Sequence, residues 1–178
     1  MSAVKSLSSV DELLALLARG DGIFDEPAVD GLAHACQCAG ILANEHPDDP
    51  ELTVAGLVHD IADIAFPDDH GDHARRGEQM VEPLLGRRVA RLVGAHVDAK
   101  RYLVATDPAY RSALSPRSAQ TLLLQGNALD AAAVAAFAAG ADLEAILALR
   151  RADERAKDSR AAPAALEAWR PLLERVAR

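Results

Sequence analysis

His34, His59, Asp60, His73, His96 and Asp153 are the residues whose types could do chemistry together in this sequence. His59 and Asp60 stand side by side in AGLVHDIADIAF, residues 55 to 66, a stretch that is otherwise almost wholly apolar. Neutral imidazole and ionised carboxylate are the commonest nitrogen and oxygen ligands of transition metals, and both are costly to bury without a partner. Taken singly, each histidine reads as a hydrogen-bonded core or surface residue, and Asp60 as a cap or a partner for arginine. As a set recurring on successive helices they read differently, because facing helices of a bundle bring such side chains together. Four histidines and two carboxylates, with no thiolate, suit one or two ions of iron, manganese or zinc.

Cations stand near these residues. Lys100 follows His96 by one helical turn and faces the same way. It reads either as a solvated lysine or as a contact for an anion, most plainly phosphate or phosphonate. Arg150, one turn before Asp153, is a second candidate anion contact. Asp153 and Lys157 share the same spacing, which fits a simple helix salt bridge equally well.

The elements that must position these groups are helical. Half of the 178 residues are hydrophobic, only 3% are aromatic, and alanine and leucine dominate, which favours helices over sheets. No alternating strand pattern or Asn-Gly hairpin occurs. Ser9 and Glu12 form a capping-box pattern ahead of Leu13, Leu14, Leu16 and Leu17. Further helices are expected from about Pro27 to Glu45, from Pro50 to between Asp63 and Phe66, from His73 to Leu85 and from Arg87 to Tyr102. Weaker patterns cover Pro116 to Leu124 and Leu129 to Ala139, the latter an alanine-rich run expected to be packed. Asp142 is expected to cap a helix reaching Lys157, and a last helix follows Pro163.

This length bounds the chain to a single domain over residues 1–178, with a core over about 24–158 and a C-terminal helix over about 163–177. A formal net charge of −8 disfavours nucleic acid as a partner. No apolar run reaches membrane-spanning length and no leader pattern is visible, so no membrane is expected. Cys36 and Cys38 lie two apart on one helix and point in different directions, as buried free thiols would. The expected location is the cytoplasm.

The order His34, His59-Asp60 in HDIA, His73, His96 and a late Asp153 resembles the HD-domain superfamily. HACQCA, HARRGEQM, HVDAKRYLV, LQG and RRADERAK are similar to stretches of its mixed-valence di-iron oxygenases, in the branch that oxidatively cleaves hydroxyphosphonates. The resemblance implies an all-α HD-domain helical bundle with the metal site in its core. It implies two iron ions, Fe(II)/Fe(III), with molecular oxygen as co-substrate. His34, His59, Asp60 and Asp153 would hold one iron, Asp60 would bridge, and His73 with His96 would hold the second. Lys100, Gln125 and Arg150 match positions that surround the phosphonate. The substrate would be a small 1-hydroxyphosphonate, cleaved at its carbon–phosphorus bond to phosphate and a carboxylic acid in phosphonate catabolism. No catalytic residue beyond the metal cluster and no obligatory protein partner are implied.

The match departs from the family at the substrate end. Phe24 stands where a tyrosine is frequent, and Pro27 where a glutamate meets the substrate's amine, with Glu26 one step away. Asp63 stands where a substrate-touching histidine is frequent, and Ala152 where tryptophan is. Glu26, Phe24 and Asp63 are therefore candidate substrate contacts, and the changes together point to an altered substrate. The alternative function is a metal-dependent HD phosphohydrolase acting on a phosphate ester, through metal-bound water and the same cationic groups. A binding protein with a vestigial site is a third reading, disfavoured because no ligand of the set is missing.

Overall fold

The computed structural model describes residues 5–24, 29–67 and 72–178. The fold is all-α, with no strand among the described residues. In chain order the helices are α1 (Val10–Ala18), α2 (Gly31–Glu45), α3 (Pro50–Val58), α4 (Ile61–Ala65) and α5 (His73–Thr106). There follow α6 (Pro108–Ala113), α7 (Pro116–Leu124), α8 (Ala131–Ala138), α9 (Leu143–Arg155) and α10 (Arg170–Val176), the last preceded by a 3-10 turn, Leu166–Trp169. No single helix among the described residues is long and apolar enough to cross a membrane.

Local signals set most starts. Ser9 accepts from the Glu12 amide at 3.1 Å, and the Glu12 carboxylate returns to the Ser8 amide at 3.0 Å, a capping box displaced by one residue. Asp30 caps α2 through the Ala33 amide at 2.8 Å, so this helix starts at Gly31; the expected start at Pro27 lies outside the described residues. Asp49, with Pro50 in the first turn, caps α3. Asp107 and Pro108 do the same for α6, which is too short for its periodicity to be visible and was not expected from sequence.

α2, α3, α5 and α9 pack against one another and form the body. α2 and α3 meet at Gly56, where a Cβ would lie 2.5 Å from Leu42 Cδ1 and 3.3 Å from Cys38 Sγ. Leu17, Leu42, Leu57, Leu85, Leu92 and Leu149 fill the interior between them. Cys36 and Cys38 are buried free thiols there, and burial pushes the Cys38 thiol up to about 12.

Three features differ from the sequence expectation, while the expected boundary at Gly86 is kept. The third helix does not run through to Phe66 but breaks at His59 and Asp60, with Asp60 at φ −101° and ψ 17°. Neighbours on a continuous helix diverge by about 100°; the break lets this adjacent pair face one interior. α5 is bent at Gly86, whose φ of 82° and ψ of 170° are not helical, so the two helices expected on either side meet there at a kink. The alanine-rich α8 lies at the surface rather than in the core: none of its residues is buried, and it packs on the body through Phe137, whose ring lies 5.1 Å from that of Tyr102. Alanine supports a helix by propensity without needing burial.

Asp142, finally, stands at the N-cap position of α9 but does not cap it with its side chain. It sits at φ 61°, its carbonyl accepts from the Ile146 amide at 2.9 Å, and its carboxylate meets Arg88 at 3.1 Å and also pairs with Arg91. Arg88 further binds Asp49 at 2.6 Å and Glu51 at 3.1 Å. One α5 guanidinium thus ties the start of α3 to the start of α9. Arg88 holds the Asp49 carboxyl below its usual range; for Asp142, burial opposes ionisation and the two arginines outweigh it. Carboxyls depressed in the folded state contribute stability above the unfolded pKa of about 3.9, and that stability is lost as pH falls toward the folded values. Arg88→Met is expected to cost about 1–2 kcal/mol in urea denaturation at pH 7, a value reduced for the network's partial exposure. The difference between variant and wild type should shrink as pH is lowered below about 4; a difference independent of pH would show that the network adds nothing electrostatic.

Candidate metal centre and its cavity

α2, the break after α3, both segments of α5 and the late helix α9 converge on one interior. His34 comes from α2, one turn inside the Asp30 cap; His59 and Asp60 from the α3–α4 break; His73 and His96 from α5; and Asp153 from α9. All are buried except Asp60, which is partly open to the cavity. The ligand atoms of His34, His59 and Asp153 lie within 4.8 Å of one another, and those of Asp60, His73 and His96 do likewise.

Asp60 joins the two triads. One carboxylate oxygen lies 3.2 Å from His59 Nε2 and 3.6 Å from His34 Nε2. The other lies 3.4 Å from His96 Nε2 and 3.8 Å from His73 Nε2. Asp153 completes the first triad, 3.4 Å from His34 Nε2 and 3.7 Å from His59 Nε2.

The outer nitrogens fix the tautomers. His34 Nδ1 donates to the Ala156 carbonyl at 2.8 Å, His59 Nδ1 to Gly56 at 2.9 Å and His96 Nδ1 to Val93 at 2.7 Å. A carbonyl only accepts, so each Nδ1 carries the proton and each Nε2 of a neutral ring offers a lone pair inward. His34 Nε2 and His59 Nε2 are nevertheless 3.2 Å apart. Two lone pairs at that distance need a cation between or beside them, either a proton or a metal. His73 Nε2 lies 3.1 Å from His96 Nε2, and its Nδ1 faces Asp63 Oδ2 at 3.9 Å.

The titration behaviour points the same way. Burial works against charge on His34, yet hydrogen bonds that its ring gives to Asp153 and Asp60 raise it to about 9. His59 is likewise raised well above its ordinary value, against burial, by Asp60 and its neighbours. Burial opposes ionisation of Asp60, and the surrounding imidazoles, His59 first, hold it well below the carboxylate range. For Asp153 burial is outweighed by Arg150 and then His59. This site demands positive charge, and its donors, imidazole nitrogen and carboxylate oxygen without thiolate, fit iron, manganese or zinc.

The cluster forms one end of a cavity of about 260 Å³, whose apolar wall includes Leu57, Ile61 and Val97. Lys100 is buried beside it and donates to Thr121 Oγ1 at 2.9 Å; burial, with Arg150 adding to it, pulls the ammonium down to about 8. Arg150 also lines the cavity, but its guanidinium is already engaged by Asp153, by Glu154 and by Tyr110 Oη at 2.6 Å. Gln125 lines it as well, and no hydrogen bond reaches its buried Oε1. Asp63 and Phe24 border the space, Phe24 being 62% exposed and so placed at the mouth. Glu26 lies outside the described residues. Ala152 is fully buried.

Two sequence readings shift. Lys157 pairs with Glu154 at 3.4 Å rather than with Asp153, and donates to Ser118 Oγ at 2.9 Å. Ser118 and Thr121, which sequence reasoning missed, line the cavity from α7. Their signal was present: Ser118, Thr121 and Gln125 fall at i, i+3 and i+7, a polar stripe on one face of the helix.

The chain matches the model of the HD domain over residues 32–139, and it belongs to the HD-domain family. Its relatives there include phosphonate oxygenases. It is 35% identical over 147 residues to the 1-hydroxy-2-(trimethylamino)ethylphosphonate dioxygenase (glycine-betaine-forming) of Leisingera caerulea, covering 78% of this chain and 74% of the relative. It is 32% identical over 148 residues to the hydroxymethylphosphonate dioxygenase of Gimesia maris, covering 78% of this chain and 72% of the relative.

A buried ammonium facing a cavity costs desolvation unless an anion meets it. Lys100→Met is therefore expected to leave the melting temperature unchanged or higher. It should also weaken binding of methylphosphonate about 10- to 100-fold in calorimetric titration, the loss of one charge-assisted hydrogen bond. Unchanged affinity would show that no anion contacts Lys100.

Proposed function

We propose that the protein is a di-iron oxygenase that cleaves the carbon–phosphorus bond of a small 1-hydroxyphosphonate and releases phosphate. The observation that carries this reading is Asp60, whose two oxygens face two separate ligand triads beside a buried lysine. The relatives' names supply the reaction class. In this reading His34, His59 and Asp153, with Asp60, would hold one ion, and His73 and His96, on the other side of Asp60, would hold the second. Iron bound there would supply the redox chemistry of the oxygenation.

The chain's own residues bind, orient and exclude water. Lys100, held by Thr121, receives the phosphonate oxygens, and Arg150 stands behind it as fixed positive charge. The carbonyl bonds of His34, His59 and His96 keep their Nε2 atoms aimed inward, so the ligand set does not reorganise during turnover. Leu57, Ile61 and Val97 keep the reacting carbon in an apolar setting. A cavity of about 260 Å³ admits a substrate of few atoms, below the usual size of drug-like sites. Asp63 and Phe24 are the described side chains placed to meet whatever the substrate carries beyond its hydroxyl-bearing carbon.

Protein purified without oxygen and loaded with ferrous iron is expected to hold two iron equivalents per chain by elemental analysis. It should release phosphate from hydroxymethylphosphonate or from the trimethylammonium-bearing substrate only when oxygen is admitted. His59→Ala should lose much of the iron and the rise in melting temperature that bound metal gives; full occupancy in that variant would remove His59 from the ligand set. Oxygen-independent release of phosphate from simple esters, with none from phosphonates, would establish the phosphohydrolase instead.

A further inference from the structure

Glu154 has no place in the ligand set, yet it is one of the most heavily engaged side chains of the protein. Its carboxylate is nearly buried, with 11% of the side chain exposed. Oε1 accepts from the Ser115 amide at 2.8 Å and lies 3.4 Å from Lys157 Nζ. Oε2 accepts from Ser118 Oγ at 2.8 Å and pairs with Arg150. One carboxylate on α9 therefore takes the cap residue and the first turn of α7 on one side, and two cations of α9 and its end on the other.

α7 is otherwise lightly held. Only Ser118 and Leu122 of this helix are buried, while Leu123 and Leu124 are 67% and 81% exposed. The face of α7 that looks into the cavity nevertheless carries Ser118 and Thr121, and Thr121 is the residue that receives Lys100. Small apolar burial cannot fix such a helix to the sub-ångström placement that anion contacts need. Several charge-assisted hydrogen bonds to one buried acceptor can, because each is stronger than a neutral one and their directions are fixed.

The same carboxylate acts on Arg150. That guanidinium is shared between Asp153, a residue of the first triad, and Glu154, with Tyr110 on its third side. Glu154 gives Arg150 a second acidic partner on its own helix, so the guanidinium keeps an anchor when Asp153 is otherwise engaged.

We propose that Glu154 is a positioning residue: it latches α7 to α9 and so sets the wall on which Thr121 holds Lys100 and Arg150 stands at the anion end of the cavity. The latch is a property of the fold, while its effect on ligand rests on the phosphonate reading given above. The two are separable by experiment. In Glu154→Gln, amides of residues 118–124 should exchange with deuterium about tenfold faster or more, with those of α3 and the 89–104 segment of α5 unchanged. Affinity for methylphosphonate should fall about tenfold or more, with iron content unchanged. Ser118→Ala, which removes one of the four contacts, should show a smaller change in the same amides. Unchanged α7 exchange in Glu154→Gln, or exchange accelerated equally in α3 and α5, would overturn the latch. So would a loss of iron equal to that of His59→Ala. If wild-type protein binds no methylphosphonate, the phosphonate reading falls, and the exchange pattern still decides the role of Glu154.

Discussion

Two carboxylates and four imidazoles share one interior, and their charges must balance there. Burial opposes charge on His34, His59, Asp60 and Asp153, and each keeps its charge only in the company of the others. Asp60 and Asp153 draw positive charge onto His34 and His59, and the backbone carbonyls at the outer nitrogens decide where on each ring that charge faces. A metal cation satisfies the same demand as a proton, with more charge and a preference for the same atoms. The helix break at His59, the opening turn of α5 and the placement of α9 all follow from the need to bring these six side chains within a few ångströms.

The second half of the cavity obeys the opposite demand. Lys100 and Arg150 are cations drawn into the interior, and Glu154 and Asp153 balance them. Their counter-ions on the protein lie on α9, while the open side of Lys100 faces the cavity. The site is thus divided along its length into an end that attracts cations and an end that attracts anions. A small molecule bearing phosphonate oxygens beside a metal-chelating hydroxyl matches both ends at once.

Much of this was legible in the sequence because its signals are local. The helix caps, Pro50 and Pro116 in first turns, and the glycine at position 86 set boundaries that the structure keeps. The all-α class follows from composition and the missing strand pattern. The gathering of the six His and Asp side chains was legible only through their recurrence and their resemblance to a known family, since spacing alone cannot place residue 34 beside residue 153. The break between α3 and α4 was hidden because its residues continue an apolar helical pattern. Asp142 was misread because an acidic residue before a helix is normally a cap, and its true partners, Arg88 and Arg91, lie far off in sequence. The exposure of α8 was hidden because alanine suits a core and a surface equally.

The hydrogen bond from His34 Nδ1 to the Ala156 carbonyl spans 122 residues. During synthesis the ring of His34 therefore emerges long before the atom that orients it, by about 6 to 24 s at ordinary translation rates. Asp153 emerges in the same late interval. Until then five of the six clustered side chains are made, but the cluster cannot close. A ribosome that stops short of α9 leaves a chain without Asp153 and without the carbonyl that holds the His34 ring in its tautomer.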